Sequence, residues 1–177
     1  LASLDYDQGY TLKQFYDVMR GGERIYTSQV SNQVFKEKMT ETLAKGEDIL
    51  YIACSSKLSA SVKAGRLIAE EVLKDFPGRK IICFDSLIAC YGQGEMAIKA
   101  SIMRKEGKSI DEVHAWLDEN KFKFNQFATV ETLSYLRQAG RVSAGSAFFG
   151  NLIGMMNQEG CREKGHLQIN RVTLQLL

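Results

Sequence analysis

The stretch from Ile49 to Val62, Ile-Leu-Tyr-Ile-Ala-Cys-Ser-Ser-Lys-Leu-Ser-Ala-Ser-Val, constrains this chain more than any other. A continuous apolar run gives way to a hydroxyl-rich loop and then to helical spacing, which predicts strand, loop and helix in that order. A strand apolar on both faces belongs in a parallel sheet covered by helices on both sides, where neither face meets water. Ser55, Ser56, Ser59 and Ser61 then lie at the carboxyl end of the strand and the amino end of the next helix. In open α/β sheets that edge is where ligands bind. Unpaired N–H groups and the positive end of the helix dipole favour an anion there. Serines also cap helices and start turns, so the same residues carry a purely structural reading as well.

The chain around this stretch alternates helix and strand signals. Thr11-Leu-Lys-Gln14 fits a capping box, with Leu12, Phe15, Tyr16 and Met19 on one helical face before Gly21-Gly22. A second helix is expected over 32–45, capped by Ser31, with Val34, Phe35, Met39 and Leu43 inward. The helix after the central loop carries Val62, Leu67, Ile68, Val72 and Leu73 at core spacing and ends at Phe76-Pro77-Gly78. Ile81 to Phe84 reads as a second buried strand, closed by Asp85-Ser86, with Asp85 a candidate acid or ligand but expected first to cap the following helix. Gly92 and Gly94 inside that helix imply a close approach of backbone or ligand. Ser109-Ile-Asp-Glu112 opens a further helix with Val113, Trp116 and Leu117 inward and His114 on the surface, and Phe122 to Val130 is strand-like.

This order predicts an α/β fold, a three-layer sandwich with a mainly parallel sheet. Residues 1–139 are expected to form that lobe. After Gly140 the chain turns very apolar, with Phe148, Phe149, Leu152, Ile153, Met155 and Met156, and residues 140–177 are expected to be part of a second, smaller α/β lobe.

Composition narrows the function. Basic and acidic residues number 23 and 21, with no run of Lys or Arg, which argues against nucleic acid as a partner. Cys54, Cys83, Cys90 and Cys161 are widely spaced without a Cys-x-x-Cys pair, the usage of buried reduced thiols in a cytoplasmic protein. No apolar run approaches the roughly 20 residues of a membrane span, so stable membrane insertion is not expected. A serine hydrolase or acyltransferase needs a base, and His114 and His166 are the only histidines, neither near a Gly-x-Ser-x-Gly elbow. A phosphate or nucleotide binder would use the same helix-start physics, but no Walker or Rossmann glycine pattern is present.

Taken together, Thr27-Ser-Gln, Ser55-Ser-Lys-Leu-Ser59, Asp85-Ser86 with Gly92-Gln-Gly94, and Leu133-Ser-Tyr-Leu-Arg-Gln-Ala-Gly-Arg-Val-Ser143 resemble the DegV family of bacterial fatty-acid-binding proteins. The four pieces, in order, cover most of residues 1–160. The resemblance implies a two-lobed carrier, without chemistry or cofactor of its own, that holds a long-chain fatty acid in a tunnel between its lobes. It also implies a partner, a fatty acid kinase catalytic protein that phosphorylates the presented carboxylate to an acyl phosphate for phospholipid synthesis. Carried over to this chain, Thr27 and Ser59 are the expected direct contacts to the carboxylate, and Ser28 and Ser56 their orienting neighbours. Arg141 is either an electrostatic partner of the carboxylate or of an incoming phosphate, or an ordinary surface residue after a helix-ending glycine. The chain departs from the family pattern at Val30, usually proline, at Ala60-Ser61, usually Gly-Thr, and at Ala139-Gly140, usually Gly-Gly. The family's opening Asp-Ser strand is not found before Leu1, and most of a second lobe is not found after Asn157.

Overall fold

A computed structural model describes residues 11–23, 26, 28–124 and 137–141. The expected strand over 122–130 and the second lobe from residue 142 onward lie outside these residues, apart from 122–124.

Strand β1 (Ile49–Ala53) and strand β2 (Ile81–Asp85) pair in parallel, with Ile49 opposite Ile81 and Ala53 opposite Asp85. Parallel pairing follows from the crossover through helix α3 (Ser61–Val72), which returns the chain to the amino end of the sheet. Alternate residues of β1 serve two separate cores. Ile49 and Tyr51 pack with Phe35, Met39 and Leu43 of α2 (Asn32–Ala44) and with Ile68 and Val72 of α3. Leu50 and Ile52 pack on the other face with Met96, Met103, Val113 and Leu117 of α4 (Cys90–Lys105) and α5 (Ile110–Asn120). Helices therefore cover both faces of the paired strands.

The helix ends follow local chemistry. Thr11 and Gln14 form the capping box of α1 (Leu12–Arg20), and Gly22 leaves it at φ +91°. Ser31 accepts from Val34 N–H at the start of α2, and Gly46 follows it at φ +79°. Ser109 and Glu112 cap α5 reciprocally. These caps agree with the sequence expectation, because each involves residues no more than a turn apart.

Several burial expectations are corrected. Leu67 is 60% exposed, because small residues Ala64, Gly65 and Ala69 occupy the sheet-facing stripe of α3 and turn Leu67 to its back. Val34 is 44% exposed beside a narrow buried stripe of Phe35, Met39 and Leu43. Tyr16 and Met19 of α1 are exposed among the described residues. His114 is half-buried, its ring edge-on to Phe84 with centroids 5.9 Å apart, and is not a free surface histidine. Phe122 lies in a tight helical turn (Lys121–Lys123), not in a strand.

Two glycines separate packing from propensity. A Cβ on Gly65 would lie 3.0 Å and 3.1 Å from Tyr51 ring carbons, whereas one on Gly94 meets nothing within 4 Å. Gly65→Val is expected to lower stability by about 1–3 kcal/mol through overpacking. Gly94→Ala is expected to raise it by up to about 1 kcal/mol through helix propensity. Urea midpoints at unchanged m-values would read both signs.

The α5 cap generates a pH dependence. Ser109 N–H, Lys108 Nζ and Ser109 Oγ–H, in that order of effect, hold the Glu112 carboxyl down at about 2, well below its ordinary 4.5. A depressed folded-state pKa contributes stability that is present above the unfolded value and lost as pH falls through the folded one. Acid titration of stability from about pH 4.5 toward about pH 2 should therefore flatten in Glu112→Gln relative to the parent protein.

Candidate functional site

Because β1 and β2 are parallel and in register, both deliver their carboxyl ends to the same edge. Each strand is followed there by a polar loop and a helix start, and the two loops are bonded to each other. Ser86 N–H donates to Ala53 O at 3.2 Å and carries the ladder one step past the strands. Ser55 N–H donates to Ile88 O at 2.8 Å. The Asp85 carboxylate accepts Ser56 N–H from one loop and Leu87 N–H from its own, each at 3.1 Å. Asp85 is thus a clasp between loops. The expectation that it caps α4 is corrected, since Ala89 is the cap residue and no side chain caps that helix.

The loop after β2 is folded tightly. Leu87 and Cys90 have φ of +59° and +46°, a left-handed conformation that side chains disfavour. Fully buried Ser86 holds the turn, donating to Ile88 O at 3.0 Å and accepting from Ile88 N–H at 3.3 Å.

The serine loop is a compact turn. Fully buried Ser55 accepts Leu58 N–H at 2.9 Å and Ser59 N–H at 3.0 Å on its carbonyl, and Lys57 N–H at 3.3 Å on its hydroxyl. Ser59 Oγ and Ser61 Oγ share a 2.7 Å hydrogen bond, and Ser59 Oγ accepts Ser61 N–H at 3.2 Å. Tyr51 lies behind this pair, its phenol pushed up chiefly by burial and drawn partly back by Ser61. No serine caps α3. Its cap residue is Ala60, without a side-chain hydrogen bond, and Ala64 N–H to Ala60 O at 3.0 Å is the first bond of the helix. Among the described residues, the N–H groups of Ala60, Val62 and Lys63 therefore find no acceptor.

The residues singled out in the sequence are distributed as follows. Ser59 is half-buried within the loop, and Ser56 is exposed at its start, with its hydroxyl unbonded among the described residues. Arg141 reaches this loop from 83 residues away, its Nε donating to Leu58 O at 3.2 Å and its Nη1 to Ala139 O. Ser28 is exposed and bonds to none of these groups among the described residues, and Thr27 lies outside them. Sequence reasoning missed Ser61 as the hydroxyl partner of Ser59, Tyr51 behind it, and Asp85 as the clasp. Only the period-2 placement of Tyr51 beneath the helix start carried a signal for any of them.

One further cavity, of about 370 Å³, runs along β1 from Asp48 to Ile52 under α4 and α5, floored by Leu50, Ala100 and Val113, with Arg104 and Lys108 among its lining. No residue of the serine loop lines it. Among the described residues no helix is long and apolar enough to cross a membrane, and no cluster of His, Cys, Asp and Glu fits a metal ion.

Comparison with known proteins fits this geometry into a family. A DegV domain-containing protein of Clostridium perfringens is 37% identical over 161 residues, which are 91% of this chain and 55% of that protein. One from Streptococcus pyogenes is 30% identical, with 89% of this chain and 54% of that protein aligned. The chain spans about half the length of the curated relatives it matches. Among solved structures, a fatty-acid-binding DegV family protein from Thermus thermophilus superposes with a TM-score of 0.63 at 30% identity, over 80% of this chain and 49% of that one. DegV of Bacillus subtilis, described as a fatty acid binding protein, superposes with a TM-score of 0.61 at 28% identity, over 78% and 48%. A family model described as "Uncharacterised protein, DegV family" matches residues 3–155, and the chain belongs to the DegV family.

Proposed function

We propose that this chain binds a long-chain fatty acid, with the carboxylate seated at the start of α3, and presents it to a separate kinase that forms the acyl phosphate. The observation that carries the reading is the uncapped helix start: Ala60, Val62 and Lys63 N–H groups without acceptors among the described residues, beside the paired hydroxyls of Ser59 and Ser61. An ionised carboxylate in a partly apolar site needs several donors, and a helix N-terminus supplies them together with a favourable dipole. Only one proton lies between Ser59 Oγ and Ser61 Oγ, so the pair retains a second hydroxyl proton to donate outward. Ser59 is the direct contact in this reading. Ser56 and Ser28 remain neighbouring donors, Thr27 a second direct contact, and Arg141, already against Leu58 O, the electrostatic partner.

The relatives described as fatty-acid-binding support a lipid tail behind that head. Each buried methylene contributes roughly 0.8 kcal/mol, so about fifteen of them offer on the order of 10 kcal/mol before ordering costs. The tail supplies affinity, and the loop fixes which end faces out.

The protein is read as a carrier, without catalysis of its own and in the cytoplasm. A hydrolytic serine needs an adjacent base. Ser59 bonds to Ser61, and the described histidine, His114, packs edge-on against Phe84. The 140–177 stretch is read as part of the second lobe that closes over the tail.

Organic-solvent extraction of the purified protein followed by mass spectrometry is expected to release one long-chain fatty acid per chain. A well-folded protein without lipid that also refuses added fatty acid would sink the reading. Ser59→Ala is expected to weaken fatty acid binding by roughly 10- to 100-fold, the loss of one hydrogen bond to a charged group. Binding of a fatty alcohol of equal chain length should change little in the same variant. Acyl phosphate should appear only when a fatty acid kinase and ATP are added to the loaded protein.

A further inference from the structure

Cys54 and Cys90 are not used by the lipid-binding reading, yet both stand on the two loops that hydrogen bonds join at the carboxyl edge of the sheet. Side chains of β1 alternate, and Leu50 and Ile52 face α4 and α5. Cys54, two residues beyond Ile52 along backbone still paired through Ala53 O and Ser86 N–H, continues on that face. Helix α4 begins on the same face, with Cys90 as its first residue. The bond from Ser55 N–H to Ile88 O draws the residue after Cys54 onto the turn that leads into Cys90. Leu87 and Cys90, both left-handed, bracket that turn. Burial pushes the Cys54 thiol up, and the nearness of Cys90 adds to the effect. Both thiols are free, Cys90 exposed and Cys54 half-buried, so the expectation of uniformly buried thiols is corrected at Cys90.

We propose that Cys54 and Cys90 form a paired modification site, which a hydroperoxide converts to a disulfide tying the serine loop to the start of α4. The exposed Cys90 sulfur attacks the terminal peroxide oxygen. The O–O bond breaks, leaving a sulfenic acid on Cys90, and the other oxygen departs as water or an alcohol with a thiol proton. Cys54 sulfur then attacks Cys90 sulfur, forming the S–S bond, and the sulfenic oxygen leaves as water with the second thiol proton. Two thiols are oxidised and one peroxide is reduced. Cys83 stands apart from this chemistry: it packs against the first core on the opposite face of the sheet, and burial pushes its thiol up. The disulfide restrains the loop that carries Ser55 to Ser59 and slows the release of a bound acyl chain, a consequence that rests on the lipid-binding reading.

The test treats the full chain with hydrogen peroxide, blocks remaining thiols, and digests with trypsin without reductant. The expected product joins residues 46–57 to residues 81–99, lighter by two hydrogens than the sum of the two peptides with Cys83 carrying the blocking group. Because Cys83 shares the second peptide with Cys90, the cross-link must vanish in Cys90→Ser and persist in Cys83→Ala. A cross-link that persists in Cys90→Ser, or a Cys90 that ends as sulfinic acid while Cys54 still alkylates, overturns the proposal. Release of a bound fluorescent long-chain fatty acid should be several-fold slower in the oxidised protein, restored by reductant, and insensitive to peroxide in Cys90→Ser. Equal release rates overturn the restraint on the ligand. A reduced protein that takes up no lipid overturns the lipid reading and that restraint together, while the cross-link is read independently of both.

Discussion

A single carboxylate organises the edge of this protein where both strands end. Asp85 accepts one N–H from each of two loops that follow adjacent parallel strands, and so fixes the distance between them. Parallel strands diverge as soon as their ladder ends, because each leads into its own crossover helix. Here the ladder is prolonged by Ser86 to Ala53 and Ser55 to Ile88, and the clasp closes it. The left-handed residues Leu87 and Cys90 are tolerated within this framework. Such conformations cost of order 1–3 kcal/mol each and persist where neighbouring bonds determine the chain path.

Packing below the edge determines the chemistry at its rim. Gly65 has no Cβ to separate α3 from the Tyr51 ring, so the helix lies close against β1. One turn nearer the helix start, Ser61 bonds Ser59 and draws down the Tyr51 phenol that burial pushes up. The close approach of α3 to β1 thus sets where this hydroxyl pair stands. The uncapped state of α3 has a similar origin: the serines that would ordinarily cap it are engaged with one another and with the turn at Ser55.

What the sequence made legible follows from how far each interaction reaches along the chain. The apolar run of β1, the caps at Thr11, Ser31 and Ser109, and the glycine stops after α1 and α2 all depend on near neighbours, and each could be read from spacing. The serine loop was legible as a place, because an apolar run ending in hydroxyls has few other meanings. Its internal bonding was not. Spacing alone does not say whether Ser59 caps a helix or pairs with Ser61, and the role of Asp85 is settled by Ser56, 29 residues away. Glycines were ambiguous for the same reason: Gly94 faces open space and Gly65 faces a ring, a difference that helical spacing alone does not encode. Leu67 misled because its hydrophobicity was weighed without the small residues that take the sheet-facing stripe.

The same coupling explains why chemistry at a sulfur bears on a hydroxyl loop. Cys54 lies between two anchored residues, Ala53 held by Ser86 and Ser55 held by Ile88. A residue fixed on both sides cannot be displaced alone, so a covalent bond at its side chain either fits the existing frame or moves Ser55 and Ser56 with it. Ser55 carries the carbonyl on which Leu58 and Ser59 N–H groups converge, and any shift there passes directly to the hydroxyl of Ser59. Rigidity that holds hydrogen-bond donors in place is also what makes the loop responsive to a change at the residue next to it.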